Sequence, residues 1–405
     1  MRSCTVFSKR ARPVPLLTAA LFVALAGCQE DAQSPTGPES TPLLATAAGT
    51  LSFRQVSAGG HHTCGVTVND LAYCWGDGRA LGAGIISYQL RPVAVLGGLR
   101  FREVSAGFRH TCGVTTDNRA YCWGPNTTGA LGTGIAHDHW TPTAVAGALR
   151  FRQVSAGNVH TCGVTTGDAA YCWGSGFAGQ LGYGTSEPGT DPDRKTPIAV
   201  AGGLRFRQVS AGNFYTCGTT TANVAYCWGH HGTGGLGQRT SSTPAAIPGR
   251  LSFRHVVAYF GFSEHHTCGV TTGDLAYCWG DNDSGQLGDG TSSFRRNPVA
   301  VAGGLKFRQV SVGNTYTCGT TTGKRVYCWG YNRLGQLGDG TLTNRSMPVA
   351  VASGLQFSGV SAGHTHSCGV STDNRAYCWG YNLDGQLGDG TELQRRRPVA
   401  VVGTM

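Results

Sequence analysis

Fourteen of the sixteen cysteines form seven pairs with one spacing, ten positions: Cys64 with Cys74, Cys112 with Cys122, Cys162 with Cys172, Cys217 with Cys227, Cys268 with Cys278, Cys318 with Cys328 and Cys368 with Cys378. Paired thiols can close a disulfide, hold a metal or stay reduced. The stretch Cys-Gly-Val-Thr-Thr-x-x-x-Ala-Tyr-Cys sets β-branched and aromatic residues on either side of a polar turn, such as Asp117-Asn118 or Gly273-Asp274. In an antiparallel hairpin about that turn the two cysteines stand opposite each other, about 4.5–5.5 Å apart at Cα and within disulfide reach. Zinc wants four ligands converging on one ion. Two thiols per copy do not converge, so we expect seven disulfides and no metal.

His62, His110, His160, His266 and His366 also share one repeat position, with Tyr215 and Tyr316 there in the fourth and sixth copies. Imidazoles in a ring would suit a metal. Tyrosine in two of the seven slots suits instead a polar ring closing backbone hydrogen bonds. Asp281-Asn282-Asp283-Ser284-Gly285 resembles the opening of a calcium loop, but the next copy reads Tyr331-Asn332-Arg333-Leu334-Gly335 and the bidentate glutamate is missing. Turn chemistry explains it. Glycoside hydrolysis needs two carboxylates in separate roles, whereas Asp289, Asp339 and Asp389 repeat one position. There is no GxSxG element and no phosphate-binding loop. We expect no catalytic residues and no cofactor; a lyase or hydrolase assembled from several copies is the alternative.

Specificity belongs where copies differ. The fifth is four residues longer than its sisters before its first cysteine and carries Tyr259, Phe260 and Phe262 there, aromatics suited to anchoring a partner. The third carries a polar insertion, Ser186 to Pro192, expected to be a surface loop.

These residues need a scaffold that repeats. First cysteines recur at intervals of 48 to 55 residues, giving seven copies from about residue 51 to the end. Each copy holds an FRQVSAG-like strand, an HTCGVTT-like strand, AYCWG, a WGxNxxGQLGDGT loop and a PVAV strand. Glycine is abundant at 63 residues without a three-residue period, as turn-dense β structure requires. Four short strands per copy make a propeller blade, so the fold class expected is all-β, a seven-bladed β-propeller. Strand alternation puts Cys74 with Val66 and Ala72 on one face of the blade, Tyr73 and Trp75 on the other. The tryptophan of every copy (Trp75, Trp123, Trp173, Trp228, Trp279, Trp329, Trp379) is then core.

The pattern GxxHT(C)xVTxxxxxYxWGxNxxGQLGxG resembles the regulator of chromosome condensation repeat family over about 350 residues. The resemblance implies a seven-bladed ring whose termini meet in one blade. Pro42-Leu43-Leu44-Ala45 and Pro398-Val399-Ala400-Val401 both remain open as the closing strand. It also implies guanine-nucleotide exchange on a small GTPase, an alternative set against export.

Residues 1–27 read as a signal peptide: basic Arg2, Lys9, Arg10 and Arg12, an apolar run from Val14 to Ala26, then Leu25-Ala26-Gly27-Cys28, which looks like a lipobox with Cys28 as the lipidated residue. Residues 28–50, rich in Ser, Thr, Pro and Ala, read as a flexible tether, and 51–405 as the propeller. The resemblance to bacterial lipoproteins implies, from Gln29 after the cysteine, an outer-membrane destination if the host has one. Loss of the four leader cations takes the formal charge from +10 to about +6. Most other arginines recur once or twice per repeat, so we expect them spread around the molecule and expect no nucleic-acid partner. The function expected is a lipid-anchored monomeric scaffold of the cell envelope that binds an unknown protein or envelope ligand.

Overall fold

The computed structural model describes residues 51–184, 192–230, 240–259, 261 and 266–403. The leader, the tether, most of the third-copy insertion, Phe260 and Phe262 lie outside them.

Each copy folds into a four-stranded antiparallel meander, and seven such sheets follow in chain order. The first comprises β1 (Phe53–Ala58), β2 (His62–Thr67), β3 (Ala72–Gly76) and β4 (Gln89–Ala94). The β2–β3 hairpin is set by local chemistry. The Thr67 hydroxyl accepts from the Leu71 amide, and Asp70 takes a positive φ of 66°. Asn118, Asp168, Asn223, Asp274 and Asn374 fill that slot elsewhere, residues that tolerate the left-handed region.

Across this hairpin Cys64 is in register with Cys74 and bonded to it. The same disulfide joins Cys112 with Cys122, Cys162 with Cys172 and Cys217 with Cys227. It recurs between Cys268 and Cys278, Cys318 and Cys328, and Cys368 and Cys378. Cα separations are 4.0–4.1 Å, closer than the expected span of about 4.5–5.5 Å. The Thr67 amide donates to the Leu71 carbonyl, so alternation along the ladder makes the cysteines a non-hydrogen-bonded pair, the closer kind.

A lone sheet this small could not bury its faces, and the core lies between blades. The disulfide face of the first blade (Cys64, Cys74, Val66, Ala72) packs on Phe101, Val104 and Trp123 of the second. The seventh packs likewise on Phe53, Val56 and Trp75 of the first, which closes the ring. Every repeat tryptophan is fully buried, as expected. The GQLG loop of one blade grips the tryptophan of the next. The Gln336 carbonyl accepts from Trp379 Nε1 and Ser367 Oγ, both at 2.9 Å. Gly338, at φ +68°, sits where a Cβ would lie 2.7 Å from that indole nitrogen.

The closing strand is settled by register. Phe357–Ala362, His366–Ser371, Ala376–Gly380 and Arg395–Ala400 form the seventh sheet from contiguous chain, so Pro398–Ala400 completes its own blade. Pro42 to Ala45 lie outside the described residues.

The meander also gives the ring two distinct ends. The β1–β2 link and the long β3–β4 loop lie at one, here the loop end; the β2–β3 hairpin and the link to the next blade lie at the other, the hairpin end. This refines the expectation that the arginines are spread: they lie at both ends, Arg295, Arg345 and Arg395 for example at the loop end. In a closed ring a position recurring once per blade arrives at the same end of every blade. Arg54, Arg102, Arg152, Arg207, Arg254 and Arg308, each second in its blade's first strand, therefore gather at the hairpin end.

Candidate functional site

The innermost strands line a central cavity of about 110 Å³ whose wall is serine and alanine, with Val257 and Val312 as exceptions. Its polar groups are already engaged. Ser57 Oγ accepts from the Ala106 amide, and the same bond recurs from Ser105 to Ala156 and from Ser361 to Ala58, at 3.0 Å. Below the serines, Gln55 joins the second blade by donating to the Val104 carbonyl and accepting from the Val104 amide. Glu103 holds this slot in the second blade and accepts from the Val154 amide at 2.8 Å. Burial pushes its carboxyl up to about 7, against that bond and the Arg102 and Arg152 charges.

The histidine position is likewise consumed by the scaffold. His62 Nε2 lies 2.7 Å from Thr111 Oγ1, His110 2.8 Å from Thr161, His160 2.8 Å from Thr216, His266 2.9 Å from Thr317 and His366 2.7 Å from Thr63. Each threonine hydroxyl donates its one proton to a loop carbonyl, as Thr111 does to Ala80 at 2.9 Å. The imidazole Nε2 is therefore the donor. Burial holds His62, His160 and His366 down at about 3 and His110 at about 4. The expectation of backbone hydrogen bonds holds for the tyrosines: Tyr215 donates to the His266 carbonyl and Tyr316 to that of His366. The histidines bond side chains instead. Asn282 is fully buried and closes its own loop through Leu287, Asp289 and Thr291, while Asp289 pairs with Arg295 at 2.8 Å, so this segment is a turn. Among the described residues no cluster of His, Cys, Asp or Glu could hold a metal.

A cluster that the sequence reading missed caps the cavity at the loop end. Tyr259 replaces the glycine of the other blades and is fully buried, so its ring is not a surface anchor. It reaches from the fifth blade to the seventh, where its hydroxyl meets His364 Nδ1 at 2.8 Å and the rings stack at 6.5 Å. Phe108 meets His364 edge-on at 5.2 Å and His61 at 5.6 Å. Over this lid His61 Nδ1 lies 2.8 Å from Asp384 Oδ2, with the imidazole 41% exposed. The signal was present: Phe108 and His364 stand where the third, fourth and sixth copies have Asn158, Asn213 and Asn314.

Beside the pair, Gly390 N donates to Leu90 O at 2.9 Å, seating the seventh blade's loop on the start of β4. Ile86 (65% exposed), Tyr88 (57%) and Leu383 (62%) stand open along this seam. Tyr88 lies within electrostatic reach of Arg79 and Tyr381, which also feel Asp384.

The RCC1-like domain matches residues 89–404, and the regulator of chromosome condensation (RCC1) repeat matches residues 53–80. The human and mouse E3 ubiquitin-protein ligases HERC2 are 33% identical over 119 residues, 28% of this chain and only 2% of their own length. Among solved structures, Prp20p from Saccharomyces cerevisiae, described with its binding properties to Gsp1p and histones, matches with a TM-score of 0.73 at 20% identity, covering 83% of this chain and 87% of that one. Human WBSCR16 matches with a TM-score of 0.72 at 20% identity, covering 82% and 94%. The ectodomain of the Physcomitrella patens receptor kinase CR4 matches with a TM-score of 0.54 at 21% identity, covering 82% and 73%.

Proposed function

The chain belongs to the RCC1-like domain family, and from that premise we propose that it is an exported, lipid-anchored binding scaffold whose loop end engages a protein or cell-envelope partner. The observation that carries this reading is a division of labour. The histidines, threonines, serines and tryptophans at the repeat positions are taken up between blades. The exposed seam of Ile86, Tyr88 and Leu383, with Arg79, Tyr381 and Asp384 around it, is left for binding, and such mixed aromatic and charged patches are typical anchors. The lipobox-like Leu25 to Cys28 supports attachment through Cys28. Nucleotide exchange on a small GTPase rests on family resemblance alone, and an exported chain would not meet such a partner.

A photo-crosslinker at position 383 should capture a discrete envelope partner, and one at position 68 on the hairpin end should not. Tyr88→Ala with Ile86→Ser should weaken that capture about tenfold. Equal capture from both positions, unaffected by the substitutions, would remove the seam from consideration.

His61 favours a second reading. Asp384 orients it through Nδ1 and the ring is 41% exposed, an arrangement that suits the general base a lyase or hydrolase needs. Turnover of an envelope glycan that survives His61→Ala would dismiss it.

A further inference from the structure

The hairpin end is cationic for a reason built into the ring. To the six arginines of the first strands are added the bases that precede them, Arg100, Arg150, Arg205 and Lys306. Each of these four donates to the hairpin of the blade before, as Arg100 does to the Asn69 carbonyl at 2.8 Å. Among the described residues the acids of this end are Asp70, Asp117, Asp168, Asp274 and Asp373. Some are spent on the ring: Arg54 pairs with Asp70, Arg152 with Asp168 and Arg254 with Asp274.

The sixth blade breaks this compensation. Where the others have aspartate or asparagine, it has Lys324 held at φ 63°, a conformation that disfavours lysine. Lys306, Arg308, Lys324 and Arg325 are all exposed, and the sixth blade itself carries none of the five aspartates. A cation kept against backbone preference points to use of its charge.

Two further observations choose the partner. At the hairpin tips the slot of Arg119, Arg325 and Arg375 is filled by Leu71, Val224 and Leu275 in other blades, each more than a third exposed. Bases interleaved with aliphatics suit the headgroup–acyl boundary of a bilayer better than a phosphodiester strand. The chain also joins the propeller at this end, where the Leu51 amide donates to the Gly403 carbonyl. A tether anchored upstream of Leu51 therefore pulls this end toward its membrane. We propose that the hairpin end docks on an anionic lipid surface, the sixth blade foremost. Its orientation argument rests on the lipid-anchored reading above, while the charge argument does not. Docking here leaves the loop end facing outward for its partner.

The test uses the full chain with Cys28→Ser, so that no lipid contributes, and a second chain adding Lys306→Gln, Arg308→Gln, Lys324→Asn and Arg325→Gln. Both share residues 1–50, so any difference belongs to the face. Co-sedimentation is read with phosphatidylcholine vesicles with and without about 30 mol% phosphatidylglycerol, at about 0.1 M salt. The substitutions should lower partition to the anionic vesicles at least about tenfold and leave the neutral vesicles unchanged. A control neutralising Arg296, Arg333, Arg396 and Arg397 at the loop end should keep parental partition. Equal partition of the two chains overturns the proposal, as does an equal loss in the control or displacement of the parent from vesicles by duplex DNA at matched charge. Unaltered melting of the substituted chain excludes unfolding as the cause. Whether Cys28 carries lipid is read separately, from the intact mass of the unsubstituted chain, so the anchor can fail while the face stands.

Discussion

Glu103 occupies a slot that Gln55, Gln153, Gln208 and Gln309 fill in four other blades. An amide there satisfies both the amide and the carbonyl of the facing valine. A carboxylate accepts from Val154 but offers the carbonyl nothing, whereas a carboxylic acid can donate to it. Its value of about 7 lies above the ordinary 4.5, so the folded state holds this proton more tightly than the unfolded chain. The associated stability is whole below pH 4.5 and is lost as pH rises through 7. Glu103→Gln should therefore stabilise by about 1–2 kcal/mol at pH 8 and by much less at pH 5, read from urea midpoints at the two pH values. A gain independent of pH would mean that the carboxylate is content as it stands.

At the scale of the element, the unit is a disulfide-closed hairpin whose outer face is completed by the next blade. Each eleven-residue closure contributes about 2–3 kcal/mol by the chain-entropy argument. The GQLG loop does the complementary work, and its glycine is required for two separable reasons. Gly338 has positive φ and a tryptophan against it; Gly303 has φ +89° and nothing within 4 Å. Gly303→Ala should cost about 1 kcal/mol, the backbone penalty alone. Gly338→Ala should cost about 2–4 kcal/mol, because the methyl also displaces the Trp379 indole. Equal losses in thermal melts would show that the loop moves freely on the indole.

For the whole molecule, the ring of neutral histidines makes assembly sensitive to acid. His62, His110, His160 and His366 have folded values of about 3 to 4 against an ordinary 6.5. As pH falls the unfolded chain protonates first. Stability is full above about 6.5 and drains toward pH 4, at about 1.4 kcal/mol per histidine for each pH unit. These four bonds cross four of the seven seams between blades of one closed ring, so the loss should appear as one cooperative transition. The melting temperature should fall steeply between pH 6.5 and 4. His110→Tyr, the residue already used at Tyr215 and Tyr316, should make that fall shallower, and an unchanged slope would place the sensitivity elsewhere.

The repeat spacing, strand alternation and cysteine interval determined the blade count, the hairpins, the seven disulfides and the burial of every tryptophan. These follow from short-range geometry: a ten-residue interval about a turn has one antiparallel register, and a period of two has one inside face. The cluster of Tyr259, His364, Phe108, His61 and Asp384 draws on four blades, and no local rule brings residue 61 beside 384. The seventh strand set and the gathering of arginines depend on closure for the same reason. Recurrence along a line says nothing of placement until the line becomes a ring, and then it puts every copy of a residue at one end.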